Sequence, residues 1–259
     1  MDAHTPWIAE ALTSLYQPAA IVARNEATVR AKENLPQEVR VLQGEAPEQI
    51  EATLNGLRWR VNLLKGQKTG IFLDQRENYR AILPFSRGRA LDCYTSTGGF
   101  ALHMAAVCDT VEGVDSSEEA LKTAEWNRQA NSIANVSWRE ADVFDILASF
   151  QSARRHYDTI VLDPPAFAKS RAAVDPALRA YREINTRALK LLAPGGTLIS
   201  CSCSHHISEA MLLEIIAQAS LDASRTLRVL ARFTQALDHP VLLTIPETSY
   251  LKCLVFEVA

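Results

Sequence analysis

The feature that most constrains the fold is a regular alternation of strand and helix patterns from residue 90 to the end of the chain. Short apolar runs typical of buried strands are separated by segments with helical periodicity. This alternation predicts an α/β fold with a doubly wound, mainly parallel sheet of seven strands. The predicted strands cover residues 90–94, 110–115, 136–141, 157–162, 197–203, 227–233 and 250–258. The predicted helix over 176–192 stops at the Pro-Gly-Gly of 194–196, and Ser116 with Glu119 predicts a capping box.

Residues 1–65 follow a different pattern. A short helix over 7–16 precedes two short strands, and the Asn55-Gly56 pair between apolar runs predicts a β-hairpin. We therefore expect a small α+β domain over 1–65 and the larger α/β domain over 66–259.

Charge and composition restrict the function classes. No stretch approaches the ~20 apolar residues that span a bilayer, and no signal pattern opens the chain, so we expect a cytoplasmic protein without a membrane partner. The net charge is −3, yet residues 58–89 hold eight Lys or Arg against two Asp or Glu. That run predicts a local patch for phosphates, with a solvated loop and hairpin as the alternative.

Polar residues follow the predicted strands where a doubly wound sheet binds its ligands. The first strand leads into a turn with Gly98 and Gly99 whose spacing fits neither a dinucleotide fingerprint nor a P-loop. The second strand ends at Asp115, which suits two ribose hydroxyls, and the third leads to Asp142, which suits an adenine amino group. Each acid alone is also typical of a helix cap; together they predict a nucleoside cofactor without a phosphate chain.

The last two parallel strands end in groups suited to chemistry on a planar base. Asp163 is followed by two prolines, which form a rigid wall or merely end the strand. The odd count of five cysteines argues against a disulfide framework, so each thiol is considered alone. Alternation puts Cys201 and Cys203 on one face, so spacing does not choose between them, although Cys203 lies nearer the mouth. The two histidines that follow do not complete a standard zinc spacing, and we expect no metal.

At these residues the chain resembles class I methyltransferases, and more closely the bacterial 23S ribosomal RNA 5-methylcytosine methyltransferases of the large-subunit methyltransferase I type. The matching stretches are GQKTGIFLDQR at 66–76, TGGF at 97–100, VDS at 114–116, DPPAF at 163–167, PGG at 194–196, SCS at 202–204, DHPV at 238–241 and PETSYLK at 246–252. The GQKTG–FLDQR and DHP stretches are specific to this family. Some members carry a basic residue where Ala166 stands, and members usually have an N-terminal PUA domain and a fuller central domain, whereas this chain begins inside the central domain.

The resemblance implies a class I methyltransferase fold, S-adenosylmethionine as cofactor, and formation of 5-methylcytosine in RNA through a covalent cysteine adduct. It assigns the nucleophile to Cys203, with Asp163 holding or protonating the pyrimidine, and leaves the elimination base open. The expected cofactor contacts are Asp92, Tyr94, Thr97, Gly98, Gly99, Phe100, Asp115, Ser116, Asp142, Val143, Asp163 and Pro164. The expected substrate contacts are Lys68, Arg76, Pro165 and Phe167. The expected partner is RNA, specifically 23S ribosomal RNA, and a homodimer is left open.

Two alternatives remain open. A methyltransferase acting on a purine amino group carries an aromatic residue directly after Asp/Asn-Pro-Pro, whereas here Ala166 comes before Phe167. An inactive, cofactor-binding RNA module is the non-enzymatic alternative, which retention of Asp163 and Cys203 disfavours. Because the resemblance starts inside a domain and the net charge is negative, we expect this chain to be a shortened form that binds RNA weakly by itself.

Overall fold

The computed structural model describes residues 2–64, 71–168 and 170–259. The helices are α1 (Thr5–Tyr16), α2 (Arg76–Ala81), α3 (Gly99–Met104), α4 (Glu118–Ala130), α5 (Val143–Ser152), α6 (Val174–Leu191) and α7 (Glu209–Asp222). The strands are β1 (Ala20–Asn25), β2 (Glu38–Gly44), β3 (Gln49–Leu54), β4 (Leu57–Asn62), β5 (Arg89–Cys93), β6 (Thr110–Asp115), β7 (Val136–Glu140), β8 (Tyr157–Leu162), β9 (Leu192–Ser202), β10 (Leu227–Phe233) and β11 (Lys252–Val258).

A seven-stranded sheet forms the centre of the larger part of the chain, with strand order β10-β11-β9-β8-β5-β6-β7. Only β11 runs antiparallel to its neighbours in this sheet; the remaining adjacent pairs are parallel. The predicted doubly wound, mainly parallel sheet is therefore confirmed. The chain order reverses between β5 and β8, which places a ligand crevice beyond the carboxyl ends of these strands.

The described residues divide into two compact units. The smaller comprises Met1–Thr53 and Trp59–Ile71, as far as these are described, and contains α1 and the antiparallel pair β1–β2. The hairpin of β3 and β4 turns at Asn55 and Gly56, whose φ angles of 53° and 85° are those of the predicted two-residue turn. The predicted domain boundary at residues 65 and 66 lies outside the described residues and stays a prediction.

The core of the larger unit holds the sheet rigid. Leu147, Ile184 and Leu212, from α5, α6 and α7, join one buried cluster with Ile160 of β8 and Leu198 of β9. Each of these side chains is fully buried, and burial of such a side chain contributes about 1.5–3 kcal/mol. This packing fixes the strand ends that carry the polar residues.

Two predicted element boundaries are wrong. The cap of α4 is Ser117, whose Oγ accepts a hydrogen bond from the N–H of Ala120, because the chain stays extended past Ser116. Strand β9 begins at Leu192, before the Pro-Gly-Gly turn, and its pairing with β8 resumes at Thr197 after a shift in register. The turn is therefore an irregularity inside β9 and not a gap between helix and strand.

Candidate active site

The carboxyl ends of five adjacent parallel strands bring the predicted site residues to one edge of the sheet. Tyr94, Asp163 and Cys203 directly follow β5, β8 and β9. Asp115 is the last residue of β6, and Asp142 lies two residues beyond β7. The strand order places these residues in a row along the crevice, in the order Cys203, Asp163, Tyr94, Asp115 and Asp142.

The loop after β5 is held in an uncommon backbone conformation. Tyr94 and Ser96 have φ angles of 65° and 50°, and Gly98 has 95°. Positive φ at a non-glycine residue costs of order 1–3 kcal/mol, and such residues concentrate at ligand sites. The hydroxyl of Tyr94 is buried and has no hydrogen-bond partner among the described residues. The sequence motif drew attention to the glycines, whereas the strain at Ser96 has no signal in the sequence.

Three of the predicted cofactor residues are buried and support the loop after β5. Asp92 is fully buried, and its Oδ2 accepts hydrogen bonds from Thr95 Oγ1 at 2.6 Å and from the N–H of Ala101 at 2.9 Å. Burial raises the pKa of Asp92 to about 7. Phe100 and Val143 are also buried. These three side chains therefore support the crevice.

Protein packing also accounts for part of the glycine turn. A Cβ atom on Gly99 would lie 2.5 Å from the ring of Tyr79, so this position excludes any larger residue. Thr97 is half-buried, and its carbonyl accepts a hydrogen bond from Asn127. The turn is thus fixed by its neighbours.

Asp115 and Asp142, the acids predicted to bind ribose and adenine, are oriented by backbone N–H groups. Asp115 accepts from Ser96 at 2.8 Å and from Ser117 at 2.9 Å, one bond on each oxygen. Asp142 caps α5, where its Oδ1 accepts from Phe144 at 2.8 Å. Each carboxylate oxygen has two lone pairs, so a helix cap and a ligand contact are compatible on the same side chain. Ser116 is exposed beside Asp115.

Asp163 is oriented by a chain of buried amides. Gln75 donates from Nε2 to Asp163 Oδ1 at 3.0 Å, and Asn78 donates to Gln75 Oε1 at 2.7 Å. Both amide side chains are buried, so the hydrogen bond from Asn78 fixes the orientation of the Gln75 amide. No pattern in the sequence indicates this role for Gln75 or Asn78, although Gln75 lies inside the FLDQR stretch.

The loop after Asp163 is rigid and has one exposed surface. Pro164 is buried and Pro165 is exposed. The ring of Phe167 lies 4.9 Å from that of Tyr181 and 6.3 Å from that of Phe144. Phe167 therefore packs with aromatic residues of the protein, and Pro165 presents the outer surface of this loop.

The Ser-Cys-Ser turn after β9 is fixed on both sides of Cys203. Ser202 Oγ accepts from Tyr181 Oη at 2.8 Å, and Ser204 Oγ accepts from the N–H of Ala168 at 3.3 Å. Lys252 Nζ donates to the carbonyl of Ser204 at 2.8 Å. The flanking residues are thus tied to α6, to the loop after β8 and to β11.

The structure distinguishes Cys201 from Cys203, which their spacing in the sequence could not do. Cys201 is fully buried opposite Cys253 of β11, and burial raises the pKa of its thiol well above the usual value. Cys203 lies past the strand end and is half-buried. Burial also raises the thiol pKa of Cys93, and that of Cys108 to about 11. Only Cys203 combines access with a place at the crevice.

The described members of the basic run do not gather at this edge. Arg76 makes ion pairs with Asp238 at 3.0 Å and with Glu77 at 3.2 Å. Arg87 and Arg89 lie at the amino end of β5, the opposite end from the crevice. Lys68 lies outside the described residues. Along the parts of the chain that the structure describes, no cluster of three or more His, Cys, Asp or Glu could hold a metal ion, and no helix is long and apolar enough to cross a membrane.

Comparison with known proteins identifies the family. The family model described as S-adenosylmethionine-dependent methyltransferase matches residues 9–256. The chain belongs to this family. This methyltransferase is 40% identical over 253 residues to ribosomal RNA large subunit methyltransferase I of Aeromonas salmonicida, covering 96% of this chain and 64% of that protein. It is 38% identical over 250 residues to the protein of the same name from Photobacterium profundum, covering 95% and 63%. The chain thus spans less than two thirds of these relatives.

Solved structures share the fold of the methyltransferase. A putative SAM-dependent methyltransferase from Streptococcus mutans aligns with a TM-score of 0.83 at 23% identity, over 98% of this chain and 65% of that one. P. horikoshii TYW2 in complex with MeSAdo aligns with a TM-score of 0.67 at 12% identity, over 100% and 85%. The Rossmann-like fold of class I methyltransferases is therefore shown.

The cofactor of this methyltransferase is S-adenosylmethionine, and the crevice fits a nucleoside of this kind. Tyr94 contributes a buried hydroxyl without a partner in the described part of the chain, at the centre of the strained loop. Asp115 and Asp142 keep lone pairs beyond those used by backbone N–H groups. We expect these three residues to hold the nucleoside, and Asp163 and Pro164 to border it.

Binding of the product S-adenosylhomocysteine is expected to raise the melting temperature by mass action. Asp115→Ala should weaken that binding by roughly 1–3 kcal/mol, because a hydrogen-bonding carboxylate is lost. Isothermal titration measures the affinity. Asp109→Ala is the matched control, since Asp109 is an exposed acid just before the other end of β6. Equal affinity of the Asp115→Ala and Asp109→Ala variants would contradict the assignment.

Proposed function

We propose that this methyltransferase transfers a methyl group to C5 of a cytosine in 23S ribosomal RNA. The names of its relatives, ribosomal RNA large subunit methyltransferase I, support the substrate class. The observation that carries the cytosine assignment is the half-buried thiol of Cys203, held between two anchored serines at the strand end beside Asp163. A transfer to a purine amino group requires no such nucleophile.

The chemistry of cytosine explains why a thiol is needed. C5 is a poor nucleophile until the Cys203 thiolate adds to C6, which moves the electron pair of the C5–C6 double bond toward C5. Asp163, oriented by Gln75, holds or protonates the pyrimidine edge during this addition. When bound, S-adenosylmethionine supplies the electrophilic methyl group that C5 takes.

The final step restores the thiolate. A base removes the proton from C5, the double bond between C5 and C6 forms again, and the bond between Sγ and C6 breaks. The residue that acts as this base is not assigned. The walls of the base site in this proposal are Pro165 on the outer side and the fixed Ser-Cys-Ser turn on the inner side.

The proposed partner follows from the proposed substrate. Ribosomal RNA places the enzyme in the cytoplasm and requires contacts to phosphates, to which Lys68 and Arg76 are assigned as predictions. Arg76 must exchange its ion pair with Asp238 to make such a contact. Homodimer formation stays a prediction.

Identification of the methylated base tests the proposal. The full chain is incubated with 23S ribosomal RNA and S-adenosylmethionine labelled in the methyl group, and the nucleosides are then separated by mass. We expect label in 5-methylcytidine. RNA carrying 5-fluorocytosine should form a stable covalent adduct, because fluorine blocks the elimination step, and peptide mapping should locate it at Cys203. Label in a methylated purine, with no adduct, would overturn the proposal.

A further inference from the structure

A buried lysine lies next to the proposed nucleophile. Lys252, the first residue of β11, pairs with Ser202 of β9 and is 6% exposed. Burial of an ammonium group is costly, and lysine is almost never buried unless it is paired. The proposed chemistry gives this residue no role, so its position calls for a reason.

The ammonium group of Lys252 is directed at the backbone of the Ser-Cys-Ser turn. Nζ donates to the carbonyl of Ser204 and to that of Tyr250, both at 2.8 Å. Within the described residues no carboxylate lies within 4.0 Å of Nζ, so no salt bridge accounts for its burial. An ammonium group has three N–H donors, of which the two carbonyls take two.

Nζ of Lys252 lies close to Cys203 along the chain, because the carbonyl that it bonds belongs to Ser204, the next residue. Burial lowers the pKa of Lys252 to about 8, while the neighbouring Cys203 thiolate opposes this shift and raises it. Interaction between two charges is mutual, so the ammonium favours the thiolate as much as the thiolate favours the ammonium. Lysine beside a cysteine is a recognised way of stabilising a thiolate.

Building on the proposed nucleophilic role of Cys203, we propose that Lys252 is a positioning residue that holds the Ser-Cys-Ser turn through the carbonyl of Ser204 and supplies positive charge near the Cys203 thiolate. One side chain, that of Lys252, thus both holds the turn and supplies the charge. This role gives a reason for the burial of Lys252, which has no salt bridge within the described residues.

The tyrosines and carboxylates around the thiol do not supply this charge, which leaves His205 as the other candidate. Tyr181 and Tyr250 are neutral, because burial raises the pKa of Tyr181 to about 12 and that of Tyr250 well above its usual value. Glu209, at the start of α7, forms an ion pair with Arg232 at 3.0 Å, and Asp163 is bound by Gln75. The ring of His205 stacks on Tyr250 with centroids 5.3 Å apart and is the second candidate cation.

The pH dependence of thiol alkylation tests the proposal. The rate of Cys203 modification by iodoacetamide is followed by peptide mass spectrometry on the full chain, without RNA. Lys252→Met should slow modification at neutral pH about tenfold or more, since the positive charge near the thiol is lost. It should also raise the pH midpoint of the alkylation rate by about one pH unit. Lys252→Arg should restore most of the rate. His205→Gln tests the other cation, and Lys122→Met, at an exposed lysine of α4, is the matched control.

Three outcomes overturn the proposal. The pH profile of alkylation could be unchanged in a folded Lys252→Met variant, or Lys252→Arg could slow alkylation as much as Lys252→Met does. The third outcome is a shift of the pH profile by His205→Gln alone. S-adenosylhomocysteine binding reports that each variant is folded. If Lys252→Met does not fold, the test is made on the wild type. The pH midpoint of Cys203 alkylation in the native protein must then lie below the midpoint of the same cysteine in the urea-unfolded chain. Alkylation does not depend on methyl transfer, so activity in a Cys203→Ala enzyme would refute the nucleophile role without changing this result.

Discussion

Replacing Cys203 with alanine is expected to abolish methyl transfer to RNA while leaving S-adenosylhomocysteine binding unchanged. Without the thiol there is no addition to C6, and C5 stays unreactive. Loss of an essential nucleophile costs several orders of magnitude, so we expect kcat to fall by at least ~10³-fold. Incorporation of labelled methyl groups into RNA measures the activity, and isothermal titration measures the cofactor affinity.

Cys201→Ala is the matched control for this experiment. Cys201 lies two residues earlier, inside β9, but it is fully buried against Cys253 and its thiol pKa is raised well above the usual value. The variant loses a small buried group, so we expect some loss of stability and retention of substantial activity. An active Cys203→Ala enzyme, or an inactive but folded Cys201→Ala enzyme, would contradict the assignment.

The sequence allowed the fold to be predicted, because the fold depends on local patterns, and the same patterns brought the candidate site residues to one edge of the sheet. Apolar runs of strand length located the strands of the sheet, and the residue after each run located the crevice. Asp115 and Asp163 needed only the rule that ligands bind beyond the carboxyl ends of parallel strands. Strand alternation alone did not separate Cys201 from Cys203; the family resemblance assigned Cys203, and the burial of each thiol is the structural observation that supports it.

The groups that support the site were beyond prediction because their partners are distant in sequence. Gln75 meets Asp163 across 88 residues, and Lys252 meets Ser204 across 48. No periodicity links such positions. The uncommon backbone angle of Ser96 was equally hidden, since serine is not a residue that signals positive φ.

Two family-specific stretches prove to be one structural unit. Asp74 accepts a hydrogen bond from Tyr250 Oη at 2.9 Å, and its carbonyl accepts one from the N–H of Ala236 at 2.9 Å. Arg76 pairs with Asp238. The FLDQR stretch therefore joins the loop between β10 and β11, and it also presents Gln75 to the crevice. These motifs are far apart in the sequence, but their hydrogen bonds and ion pair join them into one structural unit.

Replacing Asp163 with asparagine is expected to lower kcat by about 10²–10³-fold, the range for loss of one group that stabilises charge in a transition state. The charge that the pyrimidine needs is lost, while the shape of the side chain is kept. Asp163 also borders the cofactor crevice, so the KM for S-adenosylmethionine and kcat are measured separately. A change confined to that KM would contradict a role at the pyrimidine.

Gln75→Leu separates the charge of Asp163 from its orientation. This variant keeps the carboxylate and removes the donor at 3.0 Å, so we expect a loss of about tenfold, smaller than that of Asp163→Asn. Because both changes act through one hydrogen bond, the double variant should be no worse than Asp163→Asn alone. Asp158→Asn is the control: Asp158 lies near the opposite end of β8 and accepts from the N–H of Arg89, so it should affect stability and not kcat. Additive losses in the double variant would show that Gln75 acts on the reaction independently of Asp163.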